Sequence, residues 1–226
     1  MGWGSYYLFW LIAPMVIALV SAHPSVLVVI LIAFLARRWI PDPYLFFKHA
    51  RRVGALRNQI AVNADNATAR RDLALIYLEK RRPQRAVPLL EEALRRDPDS
   101  AELHYLLGLA QLRAKHYQAA LEPLVAAVAR NEKLRYGDPY LHAGDALERL
   151  GRLDEAEDAY ERFLKINPSS LEGWCKLAAV RAAKRDAPGR KQALHEAVST
   201  YQHLPGFHRR KQWLWYLRAR VSRLGA

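Results

Sequence analysis

The sequence predicts an all-α chain: an amino-terminal transmembrane helical hairpin, an α-solenoid of about three to four helix pairs, and a carboxy-terminal capping helix. Three observations predict it. A code of small and large residues returns roughly every 34 residues between Asn66 and Pro168. No charged side chain precedes Arg37, although the chain carries 35 Lys and Arg against 22 Asp and Glu. A last apolar stripe follows the break at Leu204-Pro205-Gly206. The chain then divides into an anchor over 1–40, a juxtamembrane half-repeat helix over 41–65, a solenoid over 66–204 and a basic aromatic cap over 205–226.

Trp3 to Ala36 is largely apolar and unbroken by charge. A helix crosses hydrocarbon in about 20 residues, so this stretch is long for one upright span and short for two. Ser21-Ala22-His23-Pro24-Ser25 lies at its middle and reads as a turn, because Pro24 lacks a backbone donor and pushes His23 away from helix. Two short spans joined there are expected, with one tilted span or a re-entrant hairpin as alternatives. A secretory signal peptide would need a positive start, which Met1–Ser5 lacks. Arg37, Arg38, Lys48, Arg51, Arg52 and Arg57 crowd the exit, and positive flanks stay on the cytoplasmic side. The repeats are therefore expected to be cytoplasmic.

After Pro41-Asp42-Pro43, the stretch Tyr44–Asn63 reads as a helix. Its Leu56 and Ile60 stand one repeat before Leu90 and Leu94, which suits a half-repeat covering the solenoid's first face. Arg37, Arg38, Trp39, Phe46, Phe47, Lys48, Arg51 and Arg52 form the candidate membrane-surface set, where cations meet anionic headgroups and aromatics suit the interface.

The repeats carry the strongest signal. Ala86, Leu90, Ala93 and Pro98 match Ala156, Tyr160, Phe163 and Pro168, and Ala120, Leu124 and Ala127 hold the same offsets between them. Leu73-Ala74, Leu107-Gly108 and Ala143-Gly144 are equivalent upstream pairs whose small residue lets two helices approach. Asn131–Asp138 lengthens the second step by two residues. A fourth, degenerate unit begins at Leu171, with a wider turn at Arg185–Gly189. Pro83 in a first turn and Ser100 as an N-cap mark helix starts.

This code resembles the tetratricopeptide repeat (TPR) family from Asn66 to about His203, including a tryptophan, Trp174, where the family often has one. The resemblance implies that the first helix of each unit lines a binding groove. Carried over, the partner-binding residues are Arg71, Leu75 and Leu78, then Tyr105, Leu109 and Leu112, then Leu141, Asp145 and Glu148. Some members clamp a terminal carboxylate with Lys, Asn and Arg at set places. Here Arg71 alone is basic at such a place; Leu75, Leu106, Asp138 and His142 hold the others, against that clamp. An extended or helical partner with apolar anchors fits better.

Charge is uneven. Four basic and eight acidic residues fall in Gly137–Ser170, whereas twelve basic and three acidic follow from Leu171. In the last helix Leu214, Leu217, Val221 and Leu224 make a stripe expected to pack on the final repeat as a cap. Its basic and aromatic residues also suit a membrane surface, while no nucleic-acid motif accompanies them.

No phosphate loop, nucleophile elbow or zinc spacing occurs. The single cysteine, Cys175, excludes an intramolecular disulfide. No catalytic residue, metal or cofactor is expected, nor a small-molecule substrate or nucleic acid. The expected partners are a protein and the lipid bilayer. The sequence reading is thus a non-enzymatic scaffold of a bacterial inner membrane, docking a protein in assembly of an envelope complex. The alternative is a surface effector that binds anionic lipid through its basic ends.

Overall fold

A computed structural model describes residues 43–224, with side chains over 51–223. The described part is helical: α1 (Pro43–Val62), α2 (Ala67–Glu79), α3 (Pro83–Arg96), α4 (Ala101–Arg113), α5 (Tyr117–Arg130), a 3₁₀ turn (Leu134–Gly137), α6 (Asp138–Arg149), α7 (Leu153–Ile166), α8 (Leu171–Ala183), α9 (Ala187–His203) and α10 (Gly206–Leu224). Residues 1–52 and 53–226 form separate units. Of the first, only the opening half of α1 is described.

The expected transmembrane hairpin, residues 1–40, lies outside the described residues. Among those described, no helix is long and apolar enough to cross a membrane. The fold class and the location are corrected accordingly. What the described residues support is an all-α solenoid of helix pairs, and a multi-pass inner-membrane protein is not supported. Every described helix has a polar face or a polar end, which a bilayer core penalises.

In the second unit, α2–α3, α4–α5, α6–α7 and α8–α9 pair as antiparallel neighbours, and each second helix packs on the next first helix. Three small/large contacts set how closely the partners approach. Ala74 and Leu90 are both fully buried. A Cβ at Gly108 would lie 2.5 Å from Leu124 Cγ, and one at Gly144 would lie 2.5 Å from Tyr160 Cε1. The buried second-helix residues Ala86, Leu90 and Ala93 recur as Ala120, Leu124 and Ala127, then as Ala156, Tyr160 and Phe163. Burying side chains of the size of Leu90 and Leu124 contributes about 1.5–3 kcal/mol each. On the first face, Leu56 joins the same core as α2, and Arg57 Nη2 donates to the Tyr77 hydroxyl at 2.8 Å.

The turn inside each pair has one recurring design. Arg81, Lys115, Gly151 and Arg185 all have positive φ (54°, 67°, 75° and 63°). The next amide donates to a carbonyl five residues back: Arg82 to Tyr77, His116 to Gln111, Arg152 to Leu147 and Asp186 to Arg181. This left-handed cap satisfies carbonyls that the helix end leaves open. Glycine takes that conformation without strain, whereas an L side chain there costs roughly 1–2 kcal/mol. Lys115→Gly is therefore expected to stabilise the chain by about 0.5–1 kcal/mol after the glycine's extra unfolded entropy, read from a higher urea midpoint.

Helix starts are equally regular. The side chains of Asn66, Ser100, Ser170 and Asp186 accept from the amides of Ala69, Leu103, Gly173 and Gly189. The two extra residues of the second step are taken up by the 3₁₀ turn, where Arg135, Tyr136 and Gly137 are all left-handed. Arg135 then folds back on α4, donating to both carboxylate oxygens of Glu102 at 2.6 and 3.2 Å.

The last helix packs against α8 and α9 by an unexpected face. Gln212, Trp215, Tyr216, Ala219 and Ser222 face the solenoid, and Ala219 is fully buried. Gln212 caps α8 by accepting from the Leu171 amide at 2.8 Å. Tyr216 stacks on Tyr201 with centroids 4.0 Å apart. Leu214, Leu217 and Val221 of the expected packing stripe point away. The helix has two apolar sides, and aromatic contacts plus the polar cap select the side carrying Trp215 and Tyr216.

Candidate partner-binding groove

First helices lie alongside one another, α2 against α4 and α4 against α6, and Lys176 of α8 reaches Asp145 of α6. Their inward residues are heavily used by the core. Leu78, Tyr105, Leu109 and Leu141 are buried, and Leu75 packs partly against the same core. Arg71 is half-exposed and pairs with Asp72 at 2.9 Å. Leu112, Asp145 and Glu148 meet at one cleft of about 440 Å³. Of the membrane-surface set, Arg51 and Arg52 are exposed on α1. Phe46, Phe47 and Lys48 lie on the same helix outside the described side chains, and Arg37, Arg38 and Trp39 lie outside the described residues.

The cleft is formed by α4, α6 and α8 with the last helix, α10. Arg113, Lys115, Arg149, Lys176, Trp215 and Arg218 line it too, with Tyr117 and Ala179 beside them. Asp145 is its electrostatic hub. The Tyr160 hydroxyl donates to Asp145 Oδ1 at 2.8 Å and to Glu148 Oε2 at 3.1 Å. Lys176 Nζ also donates to Asp145, and His142 Nδ1 lies 3.5 Å from its Oδ2. Burial alone would raise the Asp145 pKa. The hydrogen bond from His142, the Lys176 charge and the donors Lys176 and Tyr160 outweigh it and hold the carboxylate below its ordinary range. Burial pushes the Tyr160 phenol strongly upward, so it stays a donor.

The acidic unit therefore presents little acid to the cleft. Asp145 is saturated by its own neighbours, leaving Glu148 beside a set of cations. Arg113 donates to the Leu78 carbonyl at 3.3 Å, and Arg218 stacks over Trp215 at 5.3 Å. Both keep their positive charge in the lining. The other acids of α7 face the back of the repeats. Arg181 bonds Glu157 and Glu161 at 2.7 Å each, and Lys184 bonds Asp154 and Glu157 at 2.6 Å each. That belt ties α7 to α8.

Sequence reasoning missed Arg113, Lys115, Arg149, Lys176, Trp215 and Arg218. The family groove pattern treats only first helices, and α10 enters the groove from outside that pattern. The excess of basic residues after Leu171 was the available signal. Cys175 is buried, its thiol donates to the Trp215 carbonyl at 3.5 Å, and burial pushes its pKa up to about 11. It is a packed thiol with little nucleophilic thiolate. No group of His, Cys, Asp and Glu poised for a metal occurs among the described residues.

Family models described as tetratricopeptide repeat match residues 71–135 and 138–180. The chain belongs to the TPR family. TPR folds generally serve as scaffolds for protein–protein interaction. The chain is 36% identical over 76 residues to DnaJ homolog subfamily C member 3 of Mus musculus, covering 34% of this chain but only 15% of that protein's length. Among solved TPR-type structures it is similar to MamA, with a TM-score of 0.64 and 24% identity over 66% of this chain and 86% of that one. It is also similar to YrrB, a TPR protein described as having an unusual peptide-binding site, with a TM-score of 0.62 and 22% identity over 74% and 86% of the two chains. At such identities the structural likeness speaks for the TPR fold alone.

Proposed function

We propose that this chain is a non-enzymatic scaffold that docks an acidic protein segment, with one apolar anchor, in the cleft between α4, α6, α8 and α10. One observation carries the reading. The cleft joins an apolar floor of Leu112 and Trp215 to four cations, Arg113, Lys115, Arg149 and Arg218, while Lys176 neutralises Asp145. Its volume suits one or two side chains of an extended segment. Docking in this way would let the chain hold components of a larger assembly together. YrrB, which shares the fold, offers precedent for a peptide site on such repeats.

A random peptide library panned against the full chain tests this. Enriched peptides are expected to combine acidic residues with a large apolar one. Arg149→Glu and Arg218→Glu, both exposed, are expected to weaken them at least about tenfold through reversed charge at the cleft. Peptides that bind both variants as tightly as the parent would place docking elsewhere.

A further inference from the structure

The outward face of α10 has a spacing that a solvated cap does not need. Phe207, Arg210, Leu214, Leu217 and Val221 follow one another by three, four, three and four residues. That is the a/d spacing of a coiled-coil heptad, with Phe207, Leu214 and Val221 at a and Arg210 and Leu217 at d. The solenoid takes the opposite positions, b, c and f, through Gln212, Trp215, Tyr216, Ala219 and Ser222. The seam is open: Phe207 is 63% exposed, Leu214 62%, Leu217 46% and Val221 69%. Four large apolar side chains left out in one line on a helix already anchored by its other side mark an interaction surface.

Charge decides what covers it. The e and g positions beside the seam are Lys211, Trp213, Arg218 and Arg220, and Gly206–Leu224 contains no acidic residue. Among the described residues these cations rest on rings: Lys211 over Phe207 at 4.2 Å, Arg218 over Trp215 and Arg220 over Tyr216. None makes an ion pair with a carboxylate among those residues. A second copy of α10 laid parallel would set Arg210 against Arg210 in the seam, and one laid antiparallel would set Lys211 against Arg218 at e and Arg210 against an apolar residue. An acidic heptad helix meets every position: apolar residues on the seam, Glu or Asp on the flanks, and a carboxylate opposite Arg210. The narrow two-in-seven seam, with Arg210 at its centre, fits a helix groove better than the broad apolar arc of a membrane-surface helix.

We propose that the outer face of α10 is a docking strip for one acidic amphipathic helix of a partner protein, adjoining the inner cleft through Arg218, which lines that cleft as well. The partner lies along Phe207–Val221, making a two-helix seam with the solenoid behind it. Arg210 sets the register, as a polar residue in a coiled-coil seam does. Trp213 widens the strip at one flank.

A 21-residue synthetic peptide with Glu at e and g and Leu at a and d, save one Glu in the seam opposite Arg210, serves as probe, with a twin carrying Lys at e and g. Titrated onto the full chain, the acidic peptide is expected to bind one to one and to weaken with added salt. The basic twin is expected not to bind. Leu214→Asp and Leu217→Asp should each weaken the acidic peptide at least about tenfold with the thermal unfolding midpoint unchanged, since both side chains point outward. Arg149→Glu, which alters the cleft, should leave this peptide's affinity as it is. Equal binding of the twin, or full binding by Leu214→Asp, overturns the proposal. So does dimerisation in sedimentation that Leu214→Asp abolishes, which would make a second copy the occupant. Failure of the acidic peptide to bind, together with Leu214-dependent co-sedimentation on vesicles of one part phosphatidylglycerol to three parts phosphatidylcholine, overturns it in favour of a lipid surface.

Discussion

Gly144→Val is expected to destabilise the chain by about 3–5 kcal/mol, even though valine is the better helix former by a few tenths. A Cβ at residue 144 lies 2.5, 2.7 and 2.9 Å from three ring carbons of Tyr160. No side chain pair tolerates that distance, so the ring must move. Tyr160 is fully buried, and its hydroxyl is committed to Asp145 and Glu148. Retreat breaks both bonds and leaves a buried phenol partly unpaired, at about 1–3 kcal/mol beyond the steric strain. Urea unfolding of the full chain measures it. Gly54→Ala is the control: Gly54 sits in α1 with nothing within 4 Å of the place a methyl would take, and the change should stabilise by about 1 kcal/mol through helix propensity alone. Should Gly144→Val unfold within about 1 kcal/mol of the parent, Tyr160 is not the wedge that sets this helix pair.

That contact also shows why the repeats were legible. A small residue facing a large one at a fixed separation is a packing constraint written in residue volumes, so Gly108–Leu124 and Gly144–Tyr160 could be read without coordinates. Turn chemistry was not legible to the same degree. Three of the four left-handed caps use Arg81, Lys115 and Arg185, and a cap without glycine carries no compositional mark. The helices that carry the candidate groove residues were legible, but which of those side chains the core takes was not. Leu78, Tyr105, Leu109 and Leu141 lie on the expected helices, yet the core absorbs them. Asp145 looked like acid offered to a partner, but Lys176, 31 residues on, consumes its charge. Long-range pairing of that kind has no sequence spacing. In α10 two apolar sides compete, and periodicity cannot say which one packs. The hairpin reading rested on apolar length and on the turn residues around Pro24, and nothing in the described helices supports a span.

Asp145→Ala should lower stability by about 2–3 kcal/mol at neutral pH while strengthening the binding of acidic peptides, two effects of opposite sign from one carboxylate. The side chain is about one-fifth exposed, which puts its loss below the range for fully buried pairs. Without it, Tyr160 loses its shorter acceptor and the Lys176 ammonium keeps only Glu172 at 3.3 Å. The pH dependence identifies the cause. Because the folded-state pKa is depressed below the ordinary 3.8, the stabilisation is fully present above the unfolded value and is lost as pH falls through the folded one. The stability gap between parent and variant should thus be widest at pH 7 and close as acid protonates Asp145. Urea midpoints for both proteins at pH 7 and at about pH 2.5 give that comparison, with an acidic cleft-binding peptide titrated at pH 7 beside them. A gap unchanged between the two pH values would mean that Asp145 acts by shape and not by charge. Loss of peptide affinity in the variant would mean that its carboxylate, and not the cation it restrains, faces the partner.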